Sequence, residues 1–322
     1  MRTVEVDSLG EISKVGLGTW QFGSREWGYG ERYATAEAQA IVRRALDLGV
    51  TLFDTAEVYG FGRGERILGK ALGAERGTVT VATKVTPVAP VPALVRRAAR
   101  GSAKRLGVDR IPLYQVHFPN PVVPDAVVMQ GPKQLLADGL VGAVGVSNYS
   151  LRRWIAAEQA LGSPVVSNQV HFSLGHLRPL WELVPWATDN RRLVLAYSPL
   201  EQGLLAGTYD ENHRPRDLRA TNPLFLPENL RLAEPLLRTL REVGAAHDAK
   251  PAQVALTWLM HHEPVVAIPG AHSVEQLESN VAAAEITLAD DEYEAVTDAA
   301  RAFRPEGGAA AYGKIVRGRI GL

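Results

Sequence analysis

The chain is 322 residues long, 46% hydrophobic and 22% charged, enough to bury a large core, and Lys plus Arg and Asp plus Glu each total 35. A balanced charge leaves no overall positive field to hold nucleic acid or an anionic membrane, and the absence of cysteine excludes disulfides, thiolate catalysis and cysteine-based metal sites. No stretch approaches the roughly 20 apolar residues that span a bilayer, and Met1 to Gly10 hold Arg2, Glu5 and Asp7 with no apolar run, so a cytoplasmic protein is expected.

The chain opens with Thr3, Val4, Glu5 and Val6, turns at Ser8, Leu9 and Gly10 and runs on through Ile12 to Val15, which predicts a β-hairpin. Short apolar or β-branched runs then recur at 15–19, 51–54, 79–84, 113–117, 141–147, 165–169, 193–198 and 265–269. Helix-like segments separate them. In 35–48, Thr35 can cap the first turn, Ala38, Ile41, Val42, Ala45 and Leu46 share one face, and Gly49 stops the helix. Similar periods fall at 66–72, 94–106, 132–138, 151–161, 177–188, 232–246, 251–261, 274–283 and 290–302. The basic stretch Arg96, Arg97, Arg100, Lys104 and Arg105 reads as a solvated helix face.

Apolar strands buried on both sides and joined by crossover helices describe a parallel sheet, and eight such units favour a closed barrel. The fold class expected is α/β, a single domain over 1–322. A doubly wound open sheet is the competing architecture, but Gly60, Gly62 and Gly64 miss the G-x-G-x-x-G spacing because position 65 is glutamate. The interval 200–229, with Gly203, Gly207, Pro215, Pro223 and Pro227 and little periodicity, is a candidate functional loop.

Reacting groups in a β/α barrel sit at the carboxyl ends of the strands. Those ends carry Asp54, Lys84, His117, Ser147 with Asn148, Gln169, and Tyr197 with Ser198, while Tyr59 follows Asp54 closely enough to fold over the same mouth. A lysine ammonium lowers the pKa of a nearby phenol, moving Tyr59 towards useful general-acid strength. Asp54 would keep Lys84 charged and aimed, and His117 could orient a substrate carbonyl. Taken singly, Asp54 also reads as a helix cap, Lys84 as an end-of-strand charge and Tyr59 as a loop residue. His261 and His262 end a helix with no ligand-spaced partner, so no metal site is expected.

The ordered motifs GLGTW, DTAEVYG from Asp54, LGKAL, ATK ending at Lys84, QVHFPNP, GVSNYS, AYSPLEQGLL and IPGAHSVEQLESN together carry a resemblance. Over nearly its whole length the chain resembles the aldo-keto reductase superfamily, its bacterial branch and the potassium-channel β subunits more than aldose reductase. The resemblance implies a (β/α)8 TIM barrel with an N-terminal β-hairpin and two accessory helices. It implies an NADP-dependent reductase of an aldehyde or ketone, NADPH binding first, with Asp54, Tyr59, Lys84 and His117 as the catalytic tetrad and Tyr59 as the acid. Ser147, Asn148 and Gln169 would hold the nicotinamide carboxamide and Tyr197 would stack beneath the ring. Ser198, Pro199, Leu200, Gly203 and Leu205 would cover the cofactor, Ile268, Gly270, His272, Ser273, Gln276 and Asn280 would contact its adenosine end, and Gly18, Thr19, Trp20 and Asp54 would complete its contacts.

Two departures bear on the cofactor. His272 stands where similar proteins often place arginine or lysine, and Ser279 where a glutamate often precedes the asparagine, which leaves NADH open as a second cofactor. On the substrate side Trp20, Trp27, Tyr29, Phe118 and Phe172 fall in or near mouth loops and are expected to form an apolar pocket for a small-molecule carbonyl, with the tail around Tyr312 folding over it. The alternative function is an NADPH-occupied accessory or sensor protein of the channel-β-subunit type with little turnover, although no partner-binding extension precedes the first strand. A homo-oligomer is left open.

Overall fold

The alternating start forms β1 (Thr3–Val6), paired antiparallel with β2 (Gly10–Ser13). A computed structural model describes residues 1–24, 28–30, 35–308, 311–312 and 314–315. Eight further strands, β3 (Leu17–Gly18), β4 (Leu52–Asp54), β5 (Thr80–Val85), β6 (Ile111–Val116), β7 (Val141–Ser147), β8 (Val165–His171), β9 (Leu193–Tyr197) and β10 (Val265–Ala267), follow in one sheet, each parallel to the next. The edges meet, because Gly16 N–H donates to the Ala267 carbonyl at 2.8 Å and Gly18 N–H to the Pro269 carbonyl at 3.0 Å. A Cβ on Gly18 would sit 2.7 Å from the Ile268 carbonyl oxygen, so glycine lets the seam close. The result is a (β/α)8 barrel.

Inside the ring Leu52, Ala82, Leu113, Ala143, Val166, Leu193, Leu195, Val266 and Ile268 form one apolar cluster, joined by Val6 and Ile12 from the hairpin. A larger cluster fills the layer between strands and helices. The helices are α1 (Thr35–Asp47), α2 (Arg63–Leu72), α3 (Pro92–Leu106), α4 (Asp125–Val128), α5 (Gln130–Ala137), α6 (Leu151–Leu161), α7 (Arg178–Glu182), α8 (Val184–Asn190), α9 (Pro227–Ala246), α10 (Pro251–Met260), α11 (Val274–Ala282) and α12 (Asp290–Ala302). Helices α9 and α12 lie outside the strand–helix repeat and pack on each other, as the two accessory helices.

Three expected elements differ. The helix expected over 132–138 starts earlier and comes as α4 and α5. The one expected over 177–188 breaks between α7 and α8, where Pro185 has no N–H to continue the ladder. In the interval 200–229 the chain makes three short 3-10 helices (Glu201–Ala206, Leu218–Thr221 and Pro223–Phe225), and α9 begins at Pro227, a proline suited to a first helical turn. No helix among the described residues is long and apolar enough to cross a membrane.

Candidate active site

Adjacent strands β4 and β5 bring Asp54 and Lys84 to the same mouth. The Lys84 ammonium has no exposed surface and donates to Asp54 Oδ2 at 2.7 Å, to the Thr55 carbonyl at 2.8 Å and to the Tyr59 hydroxyl at 3.3 Å. Its three protons are therefore matched to three acceptors. Asp54 is held on its other oxygen by Gln169 Nε2 at 2.7 Å, and its carbonyl accepts from the buried Thr19 hydroxyl at 2.8 Å. Tyr59 follows a tight turn, with its N–H on the Ala56 carbonyl at 3.1 Å. Gly64 of α2 packs on it, since a Cβ there would come within 3.2 Å of Tyr59 Cβ. The His117 ring meets Tyr59 edge-on with centroids 6.0 Å apart and stacks on Phe118 at 4.4 Å.

The electrostatics correct one expectation. Burial pushes the Tyr59 phenol above its ordinary value of 10.0, and the Lys84 ammonium offsets only part of that rise. For Lys84, burial works against the charge, but Asp54 and Tyr59 outweigh it and hold the amine above its ordinary 10.5. His117 is pushed down to about 3 by burial and then by Lys84, so it is a neutral imidazole, and its Nδ1 is buried without a hydrogen-bond partner among the described residues.

Above the cluster opens a cavity of about 760 Å³. Trp20, Val58, Tyr59, His117 and Phe118 line one side, and Ser147, Asn148, Gln169 and Tyr197 the floor. Asn148 adopts φ 63°, which turns its amide to donate to Ser147 Oγ at 3.0 Å and to accept from the Tyr197 hydroxyl at 2.9 Å. Ser198, Pro199, Leu200 and Gly203 form a rim, and Ile268, Gly270, His272, Gln276 and Asn280 the far end, while Gly18 also reaches the cavity.

Several expected residues lie elsewhere. Phe172 is fully buried and packs edge-on against Trp258 at 5.8 Å, a core role that removes it from the substrate pocket. Tyr29 does not line the cavity; its hydroxyl bonds to Thr35 Oγ1 and Arg63 lies over its ring. Thr19 and Leu205 support the cavity from the buried layer, and Ser273 caps α11 by accepting from Gln276 N–H at 3.3 Å. Tyr312 is exposed and does not line the cavity, and Trp27 lies outside the described residues. Sequence reasoning missed Arg219 and Lys250, which line the cavity from positions that carry no motif, and Glu275, which lies inside IPGAHSVEQLESN at the start of α11. It also passed over Glu201, whose signal was available as the one charge inside the motif AYSPLEQGLL.

Residues 14–301 match the model of the Aldo/keto reductase family. The chain belongs to this family. It is 63% identical over 305 residues to an uncharacterized oxidoreductase of Mycobacterium tuberculosis, covering 95% of this chain and 94% of the relative. It is 33% identical over 283 residues to an aldo-keto reductase of Bacillus subtilis, covering 84% of each chain. Among solved structures it resembles a glycerol dehydrogenase of Gluconobacter oxydans, with TM-score 0.85, 28% identity and coverage of 95% of this chain and 97% of that one. It also resembles an aldo-keto reductase of Klebsiella pneumoniae described in complex with NADP and acetate, with TM-score 0.72, 27% identity and coverage of 95% and 96%.

The cavity fits a dinucleotide on its own features. It runs from the polar floor at Ser147, Asn148 and Gln169 to the N-terminal turn of α11, and its described cations, Arg219 and Lys250, come from the β9–α9 segment and the start of α10. A helix N-terminus and the Lys250 ammonium suit phosphate, while Arg219 is already paired with Asp217 through Nε at 2.9 Å and Nη2 at 2.5 Å.

Proposed function

We propose that this reductase converts an uncharged aldehyde or ketone to its alcohol with NADPH, with Tyr59 as the general acid. The observation that carries the proposal is the Lys84 ammonium, 2.7 Å from Asp54 Oδ2 and 3.3 Å from the Tyr59 hydroxyl, beside the cavity floor. Bound NADPH would supply hydride to the carbonyl carbon. As that carbon is reduced, its oxygen gains negative charge and needs a proton and nearby donors. Tyr59 gives up its proton to that oxygen, and Lys84, fixed by Asp54, stabilises the phenolate left behind. Neutral His117 donates a hydrogen bond without adding a second cation beside Lys84. Gln169 keeps Asp54 from turning away.

The substrate class follows from how charge divides the cavity. Trp20, Val58 and Phe118, each about half exposed, border the catalytic end, whereas the described cations Arg219 and Lys250 come from the segment after β9 and the anion Glu275 from the start of α11. A flat apolar carbonyl compound gains contact area there, and a carboxylate or phosphate on the substrate gains no described partner. For the cofactor, Lys250 would serve the phosphates in place of a cation at His272, with Arg219 held beside it by Asp217. The test is a substrate panel of matched aromatic aldehydes with and without a carboxylate, followed by loss of reduced-nicotinamide absorbance with NADPH and with NADH. Faster turnover of the uncharged members with NADPH is expected. Equal turnover of the charged members removes the substrate assignment, and absence of turnover across the panel removes the reductase assignment.

A further inference from the structure

The rim that follows β9 concentrates left-handed backbone. Ser198 (φ 49°), Glu201 (φ 48°), Gln202 (φ 56°) and Gly203 (φ 98°) all lie where residues with a Cβ are disfavoured. Such conformations persist when their surroundings over-determine them. Three non-glycine residues of this kind fall within one short segment whose Ser198, Gln202 and Gly203 line the cavity.

The surroundings converge on Glu201. Its side chain is turned inward and the residue is only 5% exposed, an uncommon place for a carboxylate without partners. Oε1 accepts from His171 Nε2 at 2.7 Å and from the Ser173 hydroxyl. Since the acceptor is a carboxylate oxygen, Nε2 carries the proton in this bond. Gly175 makes room, because a Cβ there would lie 3.1 Å from Glu201 Cγ. The backbone closes around the same residue, with Glu201 N–H on the Ser198 carbonyl at 3.0 Å and Gly203 N–H on the Leu200 carbonyl at 2.9 Å.

His171 is the last residue of β8, and its ring is stacked between two others: Tyr197 with centroids 5.5 Å apart, and His176 at 4.6 Å. One buried carboxylate therefore ties the rim to the ring that supports Tyr197, and Tyr197 in turn holds Asn148 through its hydroxyl at 2.9 Å. A single chain of contacts thus runs from the rim through Glu201, His171 and Tyr197 to Asn148 on the cavity floor.

We propose that Glu201 is a positioning residue that latches the rim 198–203 in its cavity-lining conformation and so sets how long a bound dinucleotide stays, leaving the chemical step alone. The proposal rests on the reading of the cavity as a nicotinamide-dinucleotide site. Removing the latch leaves the left-handed residues free to relax away from the cavity. Faster cofactor release follows.

The experiment is stopped-flow release of NADPH, followed by its fluorescence, with steady-state and single-turnover kinetics on wild type, Glu201→Ala, Glu201→Gln and His171→Phe. Loss of two hydrogen bonds to a buried carboxylate predicts release faster by roughly tenfold and a matching rise in KM for NADPH in Glu201→Ala. Single turnover with cofactor already bound should stay within about twofold of wild type. Glu201→Gln keeps an acceptor oxygen and should restore most of the residence time. His171→Phe keeps a ring in the stack, loses the donor and should fall between the two.

Unchanged release in folded Glu201→Ala, or a single-turnover rate that falls as far as affinity, overturns the latch. If Glu201→Ala does not fold, His171→Phe and Ser173→Ala decide by the same readout, and unchanged release in both overturns it. A wild-type protein that binds neither NADPH nor NADH removes the cavity reading itself. Wild-type binding with unaltered variants removes the latch alone.

Discussion

Replacing Asp54 by Asn removes one charge from a pair that water does not reach. The side chains of Lys84 and Asp54 are 0% and 4% exposed and 2.7 Å apart. At that distance an effective dielectric of about 20 gives an attraction of about 6 kcal/mol, an upper bound because both ions lost solvation on burial. Breaking such a pair from one side costs about 3–5 kcal/mol. The amide cannot repair the loss, since Lys84 and Gln169 both donate to this side chain and one of them would face an NH2 group. The unfolding midpoint should fall on the order of 10 °C. Because the folded pKa of Lys84 is raised above 10.5, the contribution of the pair is fully present below that pH and is lost only as pH rises through the folded value. The deficit of Asp54→Asn should accordingly be constant from neutral pH to about pH 10. Without Asp54 the amine loses its main support, so turnover should decline with rising alkaline pH where wild type holds. Thermal unfolding by circular dichroism and a pH–rate profile measure both effects. A stability loss under about 1 kcal/mol, the size expected of an exposed pair, together with an unchanged profile would refute the reasoning.

The upward shift of Tyr59 sets a second outcome: the acid form persists past pH 10, so carbonyl reduction should lose no rate to this group between neutral pH and that point, and a titration near neutrality assigned to Tyr59 would contradict it. His117, pushed from 6.5 down to about 3, contributes stability that is present above 6.5 and lost as pH falls towards 3. Near pH 5 the loss should be about 2 kcal/mol, and His117→Asn should remove that part of the acid sensitivity in denaturant titrations; identical sensitivity in both proteins argues against a buried neutral imidazole. Gly18→Ala forces a Cβ to 2.7 Å from the Ile268 carbonyl at the barrel seam and should destabilise by about 1–3 kcal/mol, whereas an unchanged denaturation midpoint would mean the seam does not close there.

What the sequence made legible was whatever a strand end fixes. Asp54, Lys84, His117, Gln169 and Tyr197 each close an apolar run, so the topology alone brings them to one mouth. Helix α6 matched its periodic pattern because Ser150 caps it and Gly162 ends it. Contacts made by aperiodic chain were not legible. Arg219 and Lys250 reach the cavity from turns with no repeating pattern, and Phe172 reads like a mouth aromatic until the turn after β8 buries it against Trp258. The direction of the Tyr59 shift was also hidden, because motif spacing reveals the neighbouring ammonium but not the depth at which the phenol is held.

The most direct test of Tyr59 as the proton donor is Tyr59→Phe, assayed with NADPH and an activated aromatic aldehyde alongside an NADPH titration. Turnover should fall by about 100- to 10,000-fold, the usual worth of a positioned acid, while cofactor affinity stays at the wild-type value. Turnover within about tenfold of wild type, with the cofactor bound equally well, would mean that the proton comes from another group.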